Sequence, residues 1–370
     1  MTVSYHHGCF PPKHINWEQI ALPLAKASDA LARYDSFLSI IPNPNILIAP
    51  MMVQEAVTSS RIEGTHATVG DVLIYEAGKT DVDLNKKNDI IEVLNYQRAV
   101  KHAESMLRSL PLSGRVLRET HAVLLEGVRG QYKSPGEYRA DQNWIGRSNV
   151  ISEARYIPIE PDAIGDAMHA WEAYVNEGDH PALVKVAIAH AELESIHPFL
   201  DGNGRIGRIV VPLMLCDSGL ISHPCFYLSE FFEHRNVEYQ DRLLAVSKND
   251  DWTQWCAFFL SAIETQATDN NEKAKRIFKL YEKVRSELAD KSNSGSAGKA
   301  VDTLFRSAIF PANVFTSIAG VGPKTGRRLL NLLKEMGIVK ELVPHSGTSP
   351  AIMMFEELLE ITEGARFDFV

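Results

Sequence analysis

Residues 197–208 bring several chemically active side chains into a short stretch of chain. His197 is a candidate general base, because an imidazole titrates near neutral pH. Asp201 is a candidate ligand for a divalent cation such as Mg²⁺, which prefers oxygen ligands. Arg205 and Arg208 lie three positions apart, so a helix that begins here carries both on one face. Two cations in a first helical turn oppose the helix dipole, and this pattern favours a bound polyanion.

The turn itself has the composition of an anion-binding loop. Pro198 lacks an N–H group and restricts the residue before it, so the preceding helix should end at about His197. Gly202 and Gly204 allow backbone conformations that other residues avoid, and Asn203 tolerates the left-handed region. Backbone N–H groups at the start of the next helix would face an anion. We therefore predict phosphate or nucleotide chemistry, with a glycine-rich turn and a solvated arginine pair as the alternative.

The segments on both sides of the turn are predicted to be central helices. Residues 181–196 are strongly apolar, and residues 206–219 are again rich in Ile, Val and Leu. A helix that is apolar on all sides is typical of a buried core. We expect the reactive residues to lie where two core helices meet, a rigid position. Phe199 is expected to anchor the loop by packing.

The composition is that of an ordinary soluble globular protein. The chain has 370 residues, enough for two or three domains, with 45% hydrophobic and 23% charged residues. Its formal net charge of -9 argues against nucleic-acid binding by the chain as a whole. Any such function needs a local basic patch.

Cysteine usage and the N-terminus predict a cytoplasmic protein without a membrane partner. The four cysteines form no CxxC pair, and Cys216 and Cys256 lie in apolar helical patterns, which is typical of buried free thiols. The first residues contain no apolar signal core, and no stretch approaches the length of a membrane span. We interpret His6 and His7 as part of a frayed terminus rather than as a metal site.

Residues 1–110 are predicted to form an N-terminal helical region. Apolar residues recur at helical spacing in residues 17–40, before Pro42, and again in residues 88–108. A further helix is expected at about 46–64.

The helix at about 46–64 carries an acidic residue at an unfavourable end. Pro50 fits best near a helix start, so the sequence leaves the position of the first turn open. Gly64 is a suitable residue to follow the C-terminus. Glu63 then lies where the helix dipole opposes a negative charge. This placement suggests a cationic partner elsewhere in the chain, and a solvated surface glutamate is the alternative.

Residues 111–290 are predicted to form the catalytic core. A helix is expected at 113–127, followed by two short β-prone segments at 142–146 and 155–159. These segments predict a β-hairpin that lies over other structure, with an irregular surface loop as the alternative. Residues 252–290 are expected to form one long helix or two medium ones.

Residues 299–370 are predicted to form a small winged-helix domain after a Ser- and Gly-rich linker at 290–298. The third helix of this domain, residues 324–336, is basic within an acidic chain, which favours DNA binding through residues 324–340. Winged helices also mediate protein contacts and dimers, which is the alternative. The basic residues are Lys324, Arg327, Arg328, Lys334 and Lys340.

The reactive turn resembles the signature of a known family. It reads HPFLDGNGRIGR and fills every fixed position of the Fic-domain signature, HPFx(D/E)GNGRxxR. Residues 59–64, SSRIEG, resemble the inhibitory motif (S/T)xxxE(G/N) of the Fic subclass with an N-terminal inhibitory helix. The resemblance covers about residues 40–260, and an added winged helix is common in bacterial members. It implies a mainly α fold, with a Fic-type helical core, a β-hairpin flap and a C-terminal winged helix-turn-helix domain.

The resemblance implies protein adenylyl transfer (AMPylation), in which AMP moves from ATP to a Ser, Thr or Tyr hydroxyl of a target protein. It implies that His197 deprotonates the attacking hydroxyl and that Asp201 holds a Mg²⁺ ion bridging the phosphates. Arg205 and Arg208 would clamp the β- and γ-phosphates. The loop residues that would bind phosphate oxygens are Gly202, Asn203 and Gly204.

The resemblance also implies how the site is restrained and how substrates are held. Glu63, in the same motif as Ser59, would pair with Arg208 and withhold it from the γ-phosphate. The hairpin at 143–158 would be the flap that registers a target segment by strand addition. The residues that fall where the family lines its adenine pocket are Asn236 and Tyr239.

Two other functions remain open from the sequence. The same site could remove AMP from a modified protein or transfer another phosphate-containing group, with Glu63 positioning a hydrolytic water. Alternatively, the core could sense a nucleotide without turnover in a DNA-binding regulator that uses the helix at 324–336. The sequence does not fix the target, self-modification or the oligomeric state, although an inhibitory helix can be tied to a homodimer.

Overall fold

The computed structural model describes residues 2–41, 43–146, 150–347 and 349–363. Within these ranges the chain is mainly α-helical, with fifteen α-helices and five short β-strands, which agrees with the predicted fold class. No helix in these ranges is both long and apolar enough to cross a membrane. Parts of the sequence predictions lie outside the described residues: Pro42, residues 147–149 of the expected flap, and residues 348 and 364–370 of the expected C-terminal domain.

The elements are numbered here in chain order. The first part of the chain contains β1 (Val3–Ser4), α1 (Trp17–Ser39), α2 (Asn45–Ile62), α3 (Val69–Glu76), α4 (Leu84–Leu107), α5 (Gly114–Leu124), β2 (Tyr156–Ile157), α6 (Ile164–Glu177), α7 (Ala182–Ile196) and α8 (Asn203–Asp217). The remainder contains α9 (Ser229–His234), α10 (Asn236–Asn249), α11 (Trp252–Ser292), α12 (Ala297–Arg306), β3 (Ile309–Pro311), α13 (Phe315–Ile318), α14 (Pro323–Glu335), β4 (Lys340–Val343), β5 (Ile352–Met354) and α15 (Glu356–Glu363).

The chain divides into two compact units, and neither is one continuous segment. The expected domain boundaries at about 110 and 290 follow sequence order, whereas these units follow proximity in space. The signature at 197–208 and the motif at 59–64 both belong to the first unit. The first unit comprises residues 1–37, 58–64 and 94–269, and the second comprises residues 38–57, 65–93 and 270–370.

Helices α7 and α8 form the centre of the first unit, as their apolar sequences predict. Nearly every residue of both helices is buried. The indole of Trp171, on α6, donates to the carbonyl of Ala189 at 2.8 Å, and the indole of Trp255, on α11, donates to the carbonyl of Ala187 at 2.7 Å. These bonds satisfy two indole N–H groups inside an apolar core. The reactive turn is therefore mounted on two tightly packed helices.

The predicted β-hairpin is reduced, in the described residues, to one antiparallel bridge between Ile145 and Tyr156. Its second arm, β2, instead pairs in parallel with β1, with Val3 opposite Tyr156. The prediction of a frayed terminus at His6 is wrong, since only 6% of this residue is exposed. Terminal residues become ordered when a sheet holds them, and this pairing joins segments too distant for any local pattern to indicate.

Two helices resolve alternatives that the sequence left open, and a third helix was not predicted. Helix α2 begins at Asn45, so Pro50 lies inside it, and the one lost hydrogen bond is outweighed by the others in this 18-residue helix. Helix α3 was not predicted, because eight residues give little periodicity; Thr68 and Asp71 form a capping box at its start. Helix α11 is a single helix of 41 residues.

The second unit contains the elements expected of a winged helix, in the expected order. Helix α12 is followed by β3, α13, α14, β4 and β5, and the three strands form an antiparallel sheet in the order β3-β5-β4. The three-residue strand β3 was not predicted. The expected linker is shorter than the sequence indicates, because α11 continues to Ser292 and α12 begins at Ala297.

Candidate active site

The turn between α7 and α8 places His197 directly after the last residue of α7. This helix ends at Ile196, as Pro198 predicts, and His197 adopts a left-handed conformation with φ of 50°. The backbone N–H of His197 still donates to the carbonyl of Leu193 at 3.0 Å. A left-handed residue turns the chain sharply away from the helix axis. The helix therefore ends and the reactive turn begins within one residue.

Arg139, which the sequence analysis missed, is a buried residue that holds this turn. Its side chain donates to the carbonyls of His197 at 3.0 Å, Ile196 at 3.4 Å and Ile159. Its backbone N–H donates to the carbonyl of Pro198 at 2.9 Å. Burial lowers its pKa to about 10, and only 2% of the residue is exposed. No local pattern indicates this role, because most of the acceptors are far from Arg139 in the chain.

His197 has the protonation state of a base at neutral pH. Burial lowers its pKa to about 4, although the carbonyl of Glu194 and the carboxylates of Glu63 and Asp201 favour the charged form. Its Nδ1 lies 3.3 Å from the carbonyl oxygen of Glu194, which can only accept. This contact favours the tautomer with the proton on Nδ1. The lone pair of Nε2 is then the one that can accept a proton.

Asn203 closes the turn with its side chain. Its Oδ1 accepts the backbone N–H of Phe199 at 2.8 Å, and its Nδ2 donates to the carbonyl of Phe199 at 2.8 Å. The side chain of Asn203 therefore fastens the loop, and only its backbone N–H, in the first turn of α8, fits the predicted role in phosphate binding. Phe199 is fully buried and stacks on His121 with ring centroids 3.9 Å apart, so it anchors the loop as expected.

His121, on α5, supports the turn from the opposite side and was not predicted as a site residue. Its Nδ1 accepts the backbone N–H of Gly136 at 2.9 Å, so Nε2 carries the proton and donates to the carbonyl of Asp201 at 2.9 Å. Burial lowers the pKa of His121 to about 4, which keeps this neutral tautomer at physiological pH. The only sign of this role in the sequence was the position of His121 on the apolar face of an amphipathic helix.

Asp201 lies in the turn with a partly exposed carboxylate. Its Oδ1 accepts the backbone N–H of Gly202 at 2.6 Å and faces Nη2 of Arg205 at 3.3 Å. About a third of its side chain is exposed, at 34%. Among the described residues, no group of three or more His, Cys, Asp or Glu side chains could hold a metal ion. A single carboxylate nevertheless fits Mg²⁺, which in nucleotide sites takes one or two carboxylates with substrate phosphates and water.

The N-terminus of α8 supplies the electropositive part of the site. Gly202 precedes the helix in a left-handed conformation with φ of 77°, so the amides of Gly204 and its neighbours belong to the first helical turn. Helical N–H groups in this position have no intrahelical acceptor and attract anions. Arg205 and Arg208 extend from the same turn, and both are almost fully buried. This arrangement is suited to a phosphate group.

Arg208 is bound by two residues of the motif at 59–64. Its Nε donates to Oγ of Ser59 at 2.8 Å, and its Nη2 donates to the carbonyl of Ser59 at 2.9 Å and to Oε1 of Glu63 at 2.6 Å. Burial opposes the ionisation of both partners, but their mutual attraction outweighs it. The pKa of Glu63 is therefore lowered and the pKa of Arg208 is raised.

The two partners of this ion pair differ in their access to solvent. The side chain of Glu63 is 35% exposed, whereas that of Arg208 is 3% exposed. Gly204 makes room for the pair, because a Cβ atom at this position would lie 2.4 Å from Oε1 of Glu63 and 2.9 Å from Nη1 of Arg208. The carboxylate thus lies over the turn, where an anionic ligand of Arg208 would also have to bind.

A cavity of about 190 Å³ opens beside this ion pair. His197, Gly204 and Arg208 line one part of it, and the ring of Tyr239 lines another. The hydroxyl of Tyr239 is turned away to the ring of His190, 2.9 Å from Nε2. The cavity therefore brings the turn predicted to bind phosphate together with both residues predicted for an adenine pocket. Its other lining residues are Ile62, Glu63, Ile145, Arg155, Tyr156, Glu194, Ser195, Asn236, Gln240, Leu243 and Leu244.

Glu194 is an acidic residue of this cavity to which the sequence analysis gave no function. Burial raises the pKa of its carboxyl to about 7; Arg208 opposes this shift and Glu63 adds to it. Its carboxyl rests on Gly207, where a Cβ atom would lie 2.2 Å from Oε1 of Glu194. Gly207, at a variable position of the signature, thus leaves room for the Glu194 side chain where α7 packs on α8.

Comparisons with known proteins agree with this geometry. Residues 22–105 match the model of the Fic/DOC family N-terminal region, and residues 111–215 match that of the Fic/DOC family. The protein adenylyltransferase Fic of Drosophila virilis is 27% identical over 165 residues, which are 43% of this chain and 31% of that protein. The protein of the same name from Drosophila melanogaster gives the same three values. The match spans about a third of the length of these relatives.

Solved structures show the same fold at low sequence identity. A Fic family protein from Desulfovibrio desulfuricans is 20% identical with a TM-score of 0.59, and the match covers 93% of this chain and 98% of that one. Fic-1 from C. elegans is 18% identical with a TM-score of 0.54, over 71% of this chain and 75% of that one. The two family models together cover about half of the chain. With the complete signature at 197–208 and the shared fold, they show that this chain belongs to the Fic/DOC family.

Proposed function

We propose that this chain is a protein adenylyltransferase that moves AMP from ATP to a hydroxyl side chain of a target protein and is restrained by Glu63. The observation that carries the proposal is a neutral His197 placed beside the N-terminus of α8 and Arg208 in one cavity. The names of the relatives support adenylyl transfer as the reaction.

In the proposed reaction, the target hydroxyl loses its proton to Nε2 of His197 and its oxygen attacks the α-phosphorus of ATP. The bond from the α-phosphorus to the bridging oxygen breaks, and pyrophosphate leaves. The N–H groups of the first turn of α8 stabilise the phosphate oxygens as charge develops. Asp201 would hold Mg²⁺, which when bound neutralises phosphate charge. Arg205 and Arg208 bind the leaving phosphates.

The restraint follows from competition for Arg208. Its guanidinium is occupied by Ser59 and Glu63, so a γ-phosphate must displace the carboxylate before it can bind there. With Glu63 in place, the triphosphate takes a pose that is unsuited to in-line attack. Loss of the carboxylate should therefore raise the rate of transfer.

The test uses labelled ATP with a cell lysate and compares wild type, Glu63→Gly and His197→Ala. We expect Glu63→Gly to raise label transfer by roughly tenfold or more, and His197→Ala in that background to abolish it. Arg61→Gly is the matched control, because Arg61 lies in the same helical turn but pairs with Glu233 at 3.2 Å. If neither wild type nor folded Glu63→Gly labels any protein, including itself, the proposal fails.

Removal of AMP from a modified protein is the second candidate, because it uses the same cavity. Glu63 is partly exposed and acts electrostatically on His197, so it could position a hydrolytic water. This reaction would be lost in Glu63→Gly, whereas transfer would increase. Release of AMP from a pre-modified target distinguishes the two.

DNA binding through residues 324–340 stays a prediction. The structure supports it less than the sequence did, because several of the basic side chains have partners within their own unit. Arg328 donates to the carbonyl of Ser292 at 2.9 Å, which fixes it within its own unit. Two of the other cations form ion pairs, Lys334 with Glu341 at 3.4 Å and Lys340 with Glu356.

A further inference from the structure

We propose that residues 3–6, which we call the brace, fix the second arm of the flap and make Tyr5 and His6 positioning residues for the target protein. The flap is here residues 143–146 and 150–158. The inference concerns the docking of the target and rests on the proposed function. The N-terminal segment was predicted to be frayed, but it pairs with β2 in the structure.

The brace pairs with β2 through its backbone. The N–H of Val3 donates to the carbonyl of Arg155 at 3.2 Å, and the N–H of Tyr5 donates to the carbonyl of Ile157 at 3.0 Å. On the other edge of β2, Ile145 exchanges hydrogen bonds with Tyr156, donating at 2.9 Å and accepting at 3.0 Å. A strand of two residues is not stable without neighbours. The brace therefore supplies one of the two neighbours that keep β2 in place.

Side chains of the brace tie it to the core of the first unit. Glu192, on α7, is fully buried, and its two carboxylate oxygens accept from Tyr5 Oη at 2.5 Å and from His6 Nε2 at 2.9 Å. The other nitrogen of His6 lies 2.8 Å from Oγ of Ser247, on α10. The ring of His6 also meets Trp252 edge-on, with centroids 5.4 Å apart. Removing one partner leaves a buried carboxylate poorly satisfied, so these contacts hold the brace firmly.

The same network reaches the catalytic turn through the flap. The hydroxyl of Tyr156, in β2, donates to the carbonyl of Ser195 at 3.0 Å and lies 3.3 Å from Oγ of Ser247. Ser195 and Glu192 belong to the last turns of α7, immediately before His197. The brace thus sets the position of β2 relative to the base that must receive the proton of the target.

The pairing restricts where a target segment can add to the flap. Strand β2 has the brace on one edge and Ile145 on the other, so neither edge accepts a further strand. A target that adds in extended conformation must therefore pair with the first arm, residues 143–146. The brace consequently determines which arm of the flap pairs with the target. It thereby also determines the direction from which the target hydroxyl approaches His197.

The first measurement is amide hydrogen exchange of the full chain. Tyr5→Phe removes one hydroxyl and His6→Ala removes the imidazole; we expect exchange at Tyr156 and Ile145 to become at least tenfold faster in both. His6→Gln retains a donor toward Glu192 and should restore much of the protection. His7→Ala is the control, because His7 and Glu160 form an ion pair with side chains 57% and 65% exposed. Unchanged exchange in folded Tyr5→Phe and His6→Ala would overturn the proposal.

The second measurement separates target docking from nucleotide binding in the Glu63→Gly background. We expect Tyr5→Phe and His6→Ala to raise the amount of lysate protein needed for half-maximal labelling by threefold or more. The half-saturating ATP concentration should change by less than twofold. An equal rise in both would contradict a positioning role toward the target. If Glu63→Gly labels nothing, the proposed function fails, and hydrogen exchange still decides whether the brace holds the flap.

Discussion

At the residue scale, the site depends on how one guanidinium divides its hydrogen bonds. Arg208 uses its Nε for the hydroxyl of Ser59 and its Nη2 for both the carbonyl of Ser59 and the carboxylate of Glu63. The two side chains would therefore contribute separately to the proposed restraint, and the hydroxyl carries no charge. We expect the hydroxyl of Ser59 to contribute less than the carboxylate of Glu63, and transfer rates of the two variants can measure the difference.

Ser59→Ala should release Arg208 only in part. The substitution removes one hydrogen bond to a charged group and keeps both the carbonyl of residue 59 and Glu63. We expect label transfer to rise by about threefold to tenfold above wild type and to stay below that of Glu63→Gly. Rates measured side by side with labelled ATP test this order. A Ser59→Ala rate equal to that of wild type would mean that the hydroxyl adds nothing to the restraint.

The sequence could not indicate the residues that support the site without facing the cavity. The signature indicated His197, Asp201 and the arginines because their types and spacing are informative within twelve residues. Arg139 and His121 act through backbone carbonyls that only the fold brings near. The same limit explains why the sequence gave no sign that the side chain of Asn203 closes the loop.

At the scale of elements, the geometry of the reactive turn depends on Arg139. Arg139→Lys keeps the charge but loses the planar group that reaches four carbonyls at once. In the Glu63→Gly background we expect transfer to fall by roughly tenfold or more, because small displacements of a base are costly. Arg115→Lys is the control, since the side chain of Arg115 is 66% exposed, pairs with Glu119 at 3.0 Å and does not line the cavity. Equal rates for the two variants would contradict this role of Arg139.

The packing of α13 on α14 depends on Gly326. A Cβ atom here would lie 2.1 Å from Cγ2 of Thr316, so Gly326→Ala should destabilise this pair of helices by about 1–3 kcal/mol. Faster hydrogen exchange of α14 amides would report the effect. Gly298→Ala, on α12, is the control, because nothing lies within 4 Å of its added Cβ and alanine favours helix. If both variants behave alike, the close approach at Gly326 is unimportant.

At the scale of the whole molecule, local patterns predicted the long helices and missed several of the short elements. The central helices α7 and α8 follow from apolar residues on all their sides, a strong signal. Strands β1 and β3 have two and three residues, and their existence depends on partners distant in the chain. The family fold and the reactive turn were therefore predictable, whereas the brace was not.

Buried neutral histidines make the stability of the fold sensitive to acid. Burial lowers the pKa of His121 to about 4 and that of His190 to about 3, below the value of 6.5 for an exposed histidine. The unfolded chain binds protons first, so stability is present above pH 6.5 and is lost as the pH falls toward 4. Between pH 7.5 and 5.5 we expect a loss of about 1 kcal/mol per histidine.

Urea unfolding of the first unit at the two pH values measures this loss, with tryptophan fluorescence as the signal. His121→Asn should reduce the difference between the two midpoints, because it removes one titrating group. A midpoint difference that is the same in His121→Asn and in the wild type would show that His121 does not contribute. His197, the proposed base, stays neutral throughout this interval, because burial lowers its pKa to about 4.

The difference in exposure between Glu63 and Arg208 has a consequence for the resting protein. Glu63 follows the last turn of α2, and helix ends fray, whereas Arg208 belongs to a buried helix that does not. We therefore expect spontaneous opening of the last helical turn to release the Nη2 group of Arg208 from Glu63 for brief periods, while the contacts with Ser59 remain. The wild-type protein should show a low basal rate, set by the fraction of time that this turn is open. The ratio of the Glu63→Gly rate to the wild-type rate then measures the free energy of closing this helical turn. Each factor of ten in that ratio corresponds to about 1.4 kcal/mol.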